Sequence, residues 1–144
     1  MNYTVKSIMK TDLVTLKPEN TLYDAHQITK EKGIRHIPVV NEQGQILAIA
    51  TQKALIANVM QILSDFGERA IQRKEKLTDI LNVAESEFDT VTPDRDLADV
   101  AEFFLMNKHG CLPVVEGDNQ LVGIITSSDF VRLAANLLEQ KKGQ

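Results

Sequence analysis

The chain contains an internal repeat, and this feature constrains its fold more than any other. The stretch GIRHIPVVNEQGQILAIAT, residues 33–51, is similar to HGCLPVVEGDNQLVGIIT, residues 109–126. A shift of 75 residues aligns Leu16–Leu55 with Val91–Phe130 without a gap. Nine of the forty aligned positions are identical: Pro18/Pro93, Leu22/Leu97, Asp24/Asp99, Pro38/Pro113, Val39/Val114, Val40/Val115, Gln45/Gln120, Ile49/Ile124 and Thr51/Thr126. Two copies are too few for a solenoid, so we expect two related units packed about a pseudo-two-fold axis.

The segments upstream of this alignment are also related, but at a different spacing. Val5–Met9 (VKSIM) is paired with Leu77–Leu81 (LTDIL) at an offset of 72. This pairing predicts that the second copy carries three extra residues within NVAESEFDTVTP.

Each copy is predicted to contain a short helix, a strand, a helix, two strands and a closing helix. In the first copy, Leu13–Pro18 is predicted as a short strand that ends at proline. Thr21 and Asp24 have the spacing of a capping box, and Gly33 supplies a helix stop; in the second copy Asp96 is the predicted cap. The paired strands are apolar runs, so the sheets are expected to be covered on most of their area. The fold class is therefore α/β (α+β), with small sheets flanked by helices.

Composition narrows the class of protein. The net charge of −4 and the pI near 5.4 argue against a broad nucleic-acid interface, as does the 5% aromatic content. The single cysteine, Cys111, allows no intrachain disulfide. No stretch approaches the roughly 18 apolar residues of a membrane span. We expect a cytoplasmic protein that binds neither nucleic acid nor membrane.

The sequence offers little support for catalysis or for a metal site. His26, His36 and His109 lack metal-ligand spacing, and no cysteine pair accompanies them. Neither a nucleophile–base pair nor a phosphate-binding loop of the Walker type is evident. Cys111 lies on a predicted strand and is interpreted as a small packed residue. We therefore expect a protein that is not an enzyme and that requires no cofactor.

The connection between the copies is strongly apolar on one side. Residues 54–76 are predicted to form one long helix or two short ones, with Gly67 as a candidate break. Apolar residues form a continuous stripe along it, and Phe130–Leu138 carries a similar stripe. Each stripe either packs on its own sheet or is buried by a partner, and the surplus of apolar surface favours a homodimer.

Each copy resembles a CBS domain. The resemblance covers about residues 5–57 and 77–137, and its most specific marks are IPVVNEQGQILAIAT and LPVVEGDNQLVGIITSSD. Two matches in register imply a tandem CBS pair, or Bateman module: a first CBS domain at 1–57, a connecting helix at 58–76 and a second CBS domain at 77–144. Such pairs usually bind adenosine-containing ligands (AMP, ADP, ATP or S-adenosylmethionine) in clefts between the copies, and commonly dimerise.

The family's closing signature, G-h-x-T/S-x-x-D, is intact in the second copy and degraded in the first. Asp129, which would accept hydrogen bonds from ribose hydroxyls, is replaced by Ala54 in the first copy. The resemblance implies that one copy's signature faces the first strand and the pre-strand residues of the other, where Arg35 and His36 would meet phosphate. The ligand-binding residues expected on this basis are Leu13, Val14, Thr15, Lys17, Arg35, His36, Ile37, Gly123, Ile124, Thr126 and Asp129.

Asp129 has a second interpretation, because TSSD before an apolar helix is good capping chemistry. Arg35 and His36 are equally consistent with solvated residues at a strand entrance. Two functions therefore stay open: a regulatory module that senses an adenosine-containing ligand and signals to an unidentified effector protein, or a structural adaptor dimer without significant ligand binding. An enzyme subunit has no support in the sequence.

Overall fold

The computed structural model describes residues 3–107 and 110–143. In these ranges the helices are α1 (Val5–Ile8), α2 (Leu22–Lys32), α3 (Gln52–Phe66), α4 (Ile71–Leu77), α5 (Leu97–Met106) and α6 (Ser127–Lys142), with short 3-10 turns at Glu68–Ala70 and Ile80–Asn82. The strands are β1 (His36–Val40), β2 (Ile46–Thr51), β3 (Cys111–Glu116) and β4 (Gln120–Thr126). His109, one of the three histidines considered above, lies outside the described residues.

The chain divides into two compact units, each with its own antiparallel sheet. We call Met1–Leu13 together with Asp89–Gln144 the Asp129 unit, and Val14–Phe88 the Ala54 unit. In the Ala54 unit β1 pairs with β2, and in the Asp129 unit β3 pairs with β4. The predicted mixed fold with two small sheets and flanking helices is confirmed.

Single bridges widen both sheets in the same way. Leu16 pairs in parallel with Val39, and Val91 pairs in parallel with Val114. The predicted strand at 13–18 is therefore reduced to one paired residue, Leu16, because the proline two positions later ends the pairing.

Capping residues begin the helices where the sequence predicts. The Thr21 hydroxyl accepts from the Asp24 N–H, and the Asp24 carboxylate accepts in return from the Thr21 N–H at 3.0 Å. Helix α2 ends at Gly33, whose φ of 65° suits a residue without a side chain. Asp96 caps α5 through the Ala98 N–H. These three predictions are confirmed.

The repeat extends further upstream than the 75-residue alignment above, and it does so without a gap. Lys10 bridges to Ile124, and Glu85 makes the equivalent bridge to Ile49; each bridge has two main-chain hydrogen bonds of 2.8–3.0 Å. Thr4 likewise pairs with Asp96 as Asp79 pairs with Thr21. Glu85 is therefore the counterpart of Lys10, and Asp79 that of Thr4, at the same 75-residue spacing.

The predicted offset of 72 and the three extra residues are thus wrong. Val5 corresponds to Ile80, and both are fully buried, whereas Leu77 is 72% exposed. The short elements involved, a four-residue helix and a three-residue turn, carry too few positions for an apolar pattern to fix their register.

The opening segment of each copy packs with the other copy's strands. Residues up to Leu13 belong to the unit that contains the second copy's strands, and residues 77–88 belong to the unit that contains β1 and β2. Compact units and sequence repeats therefore have different boundaries. The division at 1–57, 58–76 and 77–144 describes the repeat along the sequence and stays a prediction as a division into domains.

The connecting segment consists of two helical pieces. Helix α3 ends at Gly67, which has a φ of 85°, and a 3-10 turn leads into α4. The break predicted at this glycine is confirmed. Along α3 the stripe is only partly covered: Leu55 is buried in the core of the Ala54 unit, while Ile56, Met60 and Phe66 are each more than half exposed.

Candidate functional site

The second copy's signature lies at the junction of β4 and α6 in the Asp129 unit. Thr126 ends the strand and is the N-cap of α6, and Asp129 lies three positions later in the first helical turn. The Thr126 main-chain N–H donates to Asp129 Oδ2 at 2.8 Å, and the Thr126 hydroxyl donates to the same oxygen at 3.2 Å. The local capping geometry thus fixes the carboxylate beside the threonine hydroxyl.

Two cations complete the surroundings of Asp129. Lys10 Nζ lies 2.9 Å from Asp129 Oδ1, and Arg132 Nη1 donates to the same oxygen at 2.9 Å. With the two bonds from Thr126, the carboxylate has four partners, which is about the number that its lone pairs accommodate. The Asp129 side chain is fully buried, whereas those of Lys10 and Arg132 are 40% and 60% exposed.

Lys10 is a candidate site residue that the sequence analysis missed. Its ammonium contacts both signature side chains, because Nζ also donates to Thr126 Oγ1 at 3.1 Å. It reaches them from the N-terminal segment, whose main chain pairs with Ile124. A gap-free extension of the repeat would have aligned Lys10 with Glu85, and this reversal of charge was the available signal.

These contacts stabilise the ionised form of Asp129. Burial raises the pKa of its carboxyl, but hydrogen bonds from Lys10, the Thr126 N–H and Arg132, with the charge of Lys10, outweigh burial and lower the pKa below its usual value. A lowered pKa contributes stability that is present above about pH 4 and is lost as the pH falls through the folded-state pKa. Asp129 is therefore a carboxylate at neutral pH.

Cys111 lies opposite Thr126 in the strand register and is buried. Burial raises the pKa of the Cys111 thiol to about 12, with Lys10 opposing this shift and Asp129 adding to it. Its interpretation as a small packed residue is confirmed.

Gly123 has a structural role that the signature alone does not reveal. A Cβ at Gly123 would lie 2.7 Å from Met9 Sδ and 3.0 Å from the Lys10 carbonyl oxygen. The glycine therefore makes room for the segment that carries Lys10. In the Ala54 unit, Ala48 is the counterpart of Gly123 and Ala84 is the counterpart of Met9. The strand residue is therefore larger there, and the neighbour that it packs with is smaller.

The equivalent place in the Ala54 unit lacks this chemistry. Thr51 caps α3 by accepting from the Ala54 N–H at 3.1 Å. The residue three positions after this cap is thus an alanine, where the second copy has a carboxylate. Glu85 replaces Lys10, Ala57 replaces Arg132 and Lys53 replaces Ser128. A buried carboxylate with two cationic partners at this place is therefore specific to the Asp129 unit.

The predicted ligand residues are divided between the two units. Leu13, Gly123, Ile124, Thr126 and Asp129 belong to the Asp129 unit, while Val14, Thr15, Lys17, Arg35, His36 and Ile37 belong to the Ala54 unit. The joint use of both sets by one ligand stays a prediction.

Within the Ala54 unit, Arg35, His36 and Ile37 lie at the start of β1. Lys17 follows Leu16, which pairs with Val39 near the end of the same strand. Arg35 is exposed, and its carbonyl accepts from the Gln52 N–H at 2.8 Å. His36 is opposite Thr51 in the strand register. Lys17 is exposed, and its N–H donates to the Asn20 side chain, whereas Ile37 is fully buried in the core. Arg35 and Lys17 are thus accessible, while the Ile37 side chain is committed to packing.

Two cavities among the described residues, each lined by residues of one unit, do not have Asp129 in their lining. One of 350 Å³ in the Asp129 unit is lined by residues that include Thr92, Arg95 and Phe103. Another of 290 Å³ in the Ala54 unit lies between α2 and α3, beside His26, Leu55 and Met60. Among the described residues, no group of three or more histidines, cysteines or carboxylates could hold a metal ion. None of the described helices is both long and apolar enough to cross a bilayer.

Comparison with known proteins identifies the family. The CBS domain model matches this chain twice, at residues 5–61 and 78–136. The chain belongs to the CBS domain family. A solved structure of a Vibrio cholerae protein assigned to acetoin utilization (AcuB) is 33% identical, with a TM-score of 0.81 over 100% of this chain and 98% of that one. CBSX2, solved in complex with AMP, is 26% identical, with a TM-score of 0.77 over 94% of this chain and 98% of that one. A second similar structure is that of CBSX2 from Arabidopsis thaliana.

Several curated relatives are longer proteins. MJ1225 of Methanocaldococcus jannaschii is 31% identical over 133 residues, which make up 92% of this chain and 43% of that protein. The chain spans less than half the length of five such relatives, including two homoserine O-acetyltransferases and a tRNA nucleotidyltransferase. Each of these matches covers at least 90% of this chain.

Proposed function

We propose that this CBS pair is a regulatory module that binds an adenosine-containing ligand at Asp129 and Thr126 and signals to a partner protein. The ligand class comprises AMP, ADP, ATP and S-adenosylmethionine. The observation that carries the proposal is the pairing of a buried, ionised carboxylate with a threonine hydroxyl at a helix start. AMP binding by the related CBSX2, which is 26% identical, supports the ligand class.

Binding in this manner requires a rearrangement of side chains. A ribose hydroxyl can donate to Asp129 only after one of the present donors releases the carboxylate, because all four lone-pair positions are taken. Both cations are partly exposed and attached through flexible chains, so each can move into solvent. A ligand that favours the rearranged state shifts the population toward it, and this shift is the signal.

A panel of ligands tests the proposal through thermal unfolding. We expect at least one of AMP, ADP, ATP and S-adenosylmethionine to raise the unfolding midpoint, because a ligand at 100 times its Kd stabilises the native state by about 2.7 kcal/mol. Guanosine and cytidine nucleotides serve as controls for general anion effects. If none of the adenosine compounds shifts the midpoint at millimolar concentration, the proposal is wrong.

The four internal contacts of Asp129 also favour a second candidate, an adaptor without ligand binding. In that case the carboxylate serves only to begin α6 and to anchor the N-terminal segment through Lys10. An adaptor would show no midpoint shift with any member of the panel. Catalysis is not part of either candidate, and the cytoplasmic location expected from the sequence stays a prediction.

We further propose that the chain forms a homodimer through α3. Ile56, Met60 and Phe66 are each more than half exposed, and Met60 also borders the 290 Å³ groove between α2 and α3. Sedimentation at micromolar concentration should give about twice the mass of one chain, and Met60→Glu should shift the distribution toward monomer because it buries a charge. Gln61→Glu is the control, since Gln61 is exposed on the polar face beside Asp65. A monomer in the unmodified protein would contradict this proposal.

A further inference from the structure

Two partly exposed cations, Lys10 and Arg132, pair with the buried carboxylate of Asp129. The carboxylate is fully buried, and the Lys10 ammonium and the Arg132 guanidinium, both on Oδ1, are partly exposed. Two positive charges face one negative charge, so the cluster carries a net charge of +1. Asp12, two residues beyond Lys10, is exposed and makes no hydrogen bond to this cluster among the described residues.

We propose that Lys10 is a specificity residue that selects phosphate-bearing adenosine ligands over uncharged adenosine and over the sulfonium S-adenosylmethionine. The inference rests on the proposed function, since it concerns the same site. Before a ligand binds, the Lys10 ammonium contacts Asp129 and Thr126, where it substitutes for the ribose hydroxyls. On binding, the ribose takes these contacts and the displaced ammonium pairs with a phosphate group.

This exchange keeps each charge paired. Displacement of Lys10 by an uncharged ligand leaves an ammonium without its carboxylate partner, whereas a phosphate replaces that partner with a stronger one. A sulfonium brings a third positive charge to a cluster that already has one in excess, and at short range this repulsion opposes binding. Phosphate is therefore what makes the displacement of Lys10 favourable.

The Ala54 unit provides an internal comparison. At the equivalent place Glu85 and Lys53 balance each other, and Arg132 has no charged counterpart. The excess positive charge accompanies the intact ribose acid and is missing where the acid is missing.

Isothermal titration of Lys10→Met with ATP, adenosine, S-adenosylmethionine and inorganic tripolyphosphate tests the inference. The unmodified protein should bind ATP at least about tenfold more tightly than adenosine or S-adenosylmethionine. Lys10→Met should lower the affinity for ATP about ten- to a hundredfold, while the affinity for adenosine is kept or rises. Lys6→Met is the matched control: it removes the same charge from the same segment, at an exposed position on α1, and should leave both affinities unchanged.

The outcomes separate this inference from the proposed function. Equal losses for ATP and adenosine in Lys10→Met, an unchanged affinity for ATP, or equal affinities of the unmodified protein for ATP and S-adenosylmethionine overturn the role of Lys10 and leave adenosine binding intact. Lys10-dependent binding of tripolyphosphate without binding of adenosine or ATP supports the anion preference and overturns the proposed function. Binding of none of the four compounds overturns both.

Discussion

Asp129→Ala should weaken the binding of the adenosine-containing ligand about ten- to a hundredfold, as expected for the loss of charge-assisted hydrogen bonds. The same change should lower the free energy of unfolding by about 1–2 kcal/mol, because the Thr126 N–H at the start of α6 loses its acceptor. Calorimetric titration and urea unfolding measure the two effects separately.

Asp24→Ala is the matched control for this variant. Asp24 occupies the same position in the capping box of α2, where it accepts from the Thr21 N–H. The hydrogen bond from that N–H, despite partial burial, lowers the pKa of Asp24 as the contacts of Asp129 lower its own. Asp24→Ala should therefore reduce stability by a similar amount and leave ligand affinity unchanged. If both variants lose stability and neither loses affinity, Asp129 is a capping residue alone.

Ala54→Asp, which restores the missing acid of the first copy, should create at most a weak second site. The new carboxylate would face Glu85 where Asp129 meets Lys10, and like charges at this distance repel. Combining Ala54→Asp with Glu85→Lys rebuilds the ion pair and should bring the number of ligands bound per chain from one toward two. Glu85→Lys alone is the control, since it adds the cation without the ribose acid.

The ligand stoichiometry and the free energy of unfolding of these three variants decide the matter. We expect the double variant to have a higher free energy of unfolding than the sum of the two single effects predicts, because each charge is favourable only beside the other. A second full site in Ala54→Asp alone would show that the charge at position 85 has no influence on binding.

The elements that the sequence predicted well are those specified by local chemistry. The capping pair Thr21–Asp24, the cap Asp96 and the stops at Gly33 and Gly67 each depend on residues within one turn of the chain. The two-fold repeat also followed from the sequence, since a shift of 75 residues leaves the strand and helix residues in the same environments.

The contacts that the sequence did not reveal are long-range in the chain. Lys10 meets Asp129 across more than a hundred residues, through an N-terminal segment that is held by two isolated bridges, at Thr4 and at Lys10 itself. The predicted register of that segment was wrong by three residues. Met9 and Ala84 occupy equivalent places in the two copies, but they differ so much in size that the sequence does not show it. Their partners explain the difference: Met9 packs against Gly123, and Ala84 packs in the core that includes Ala48.

Isothermal titration of the unmodified chain with ATP counts the ligands bound per chain and so distinguishes one binding site from two. We propose that the binding chemistry is concentrated at Asp129, Thr126 and Lys10, and that the equivalent place at Ala54 and Glu85 has lost it. We expect one ATP bound per chain, and we expect Asp129→Ala to abolish or strongly weaken that site. Two equal sites per chain, or one site that Asp129→Ala leaves undiminished, would contradict it.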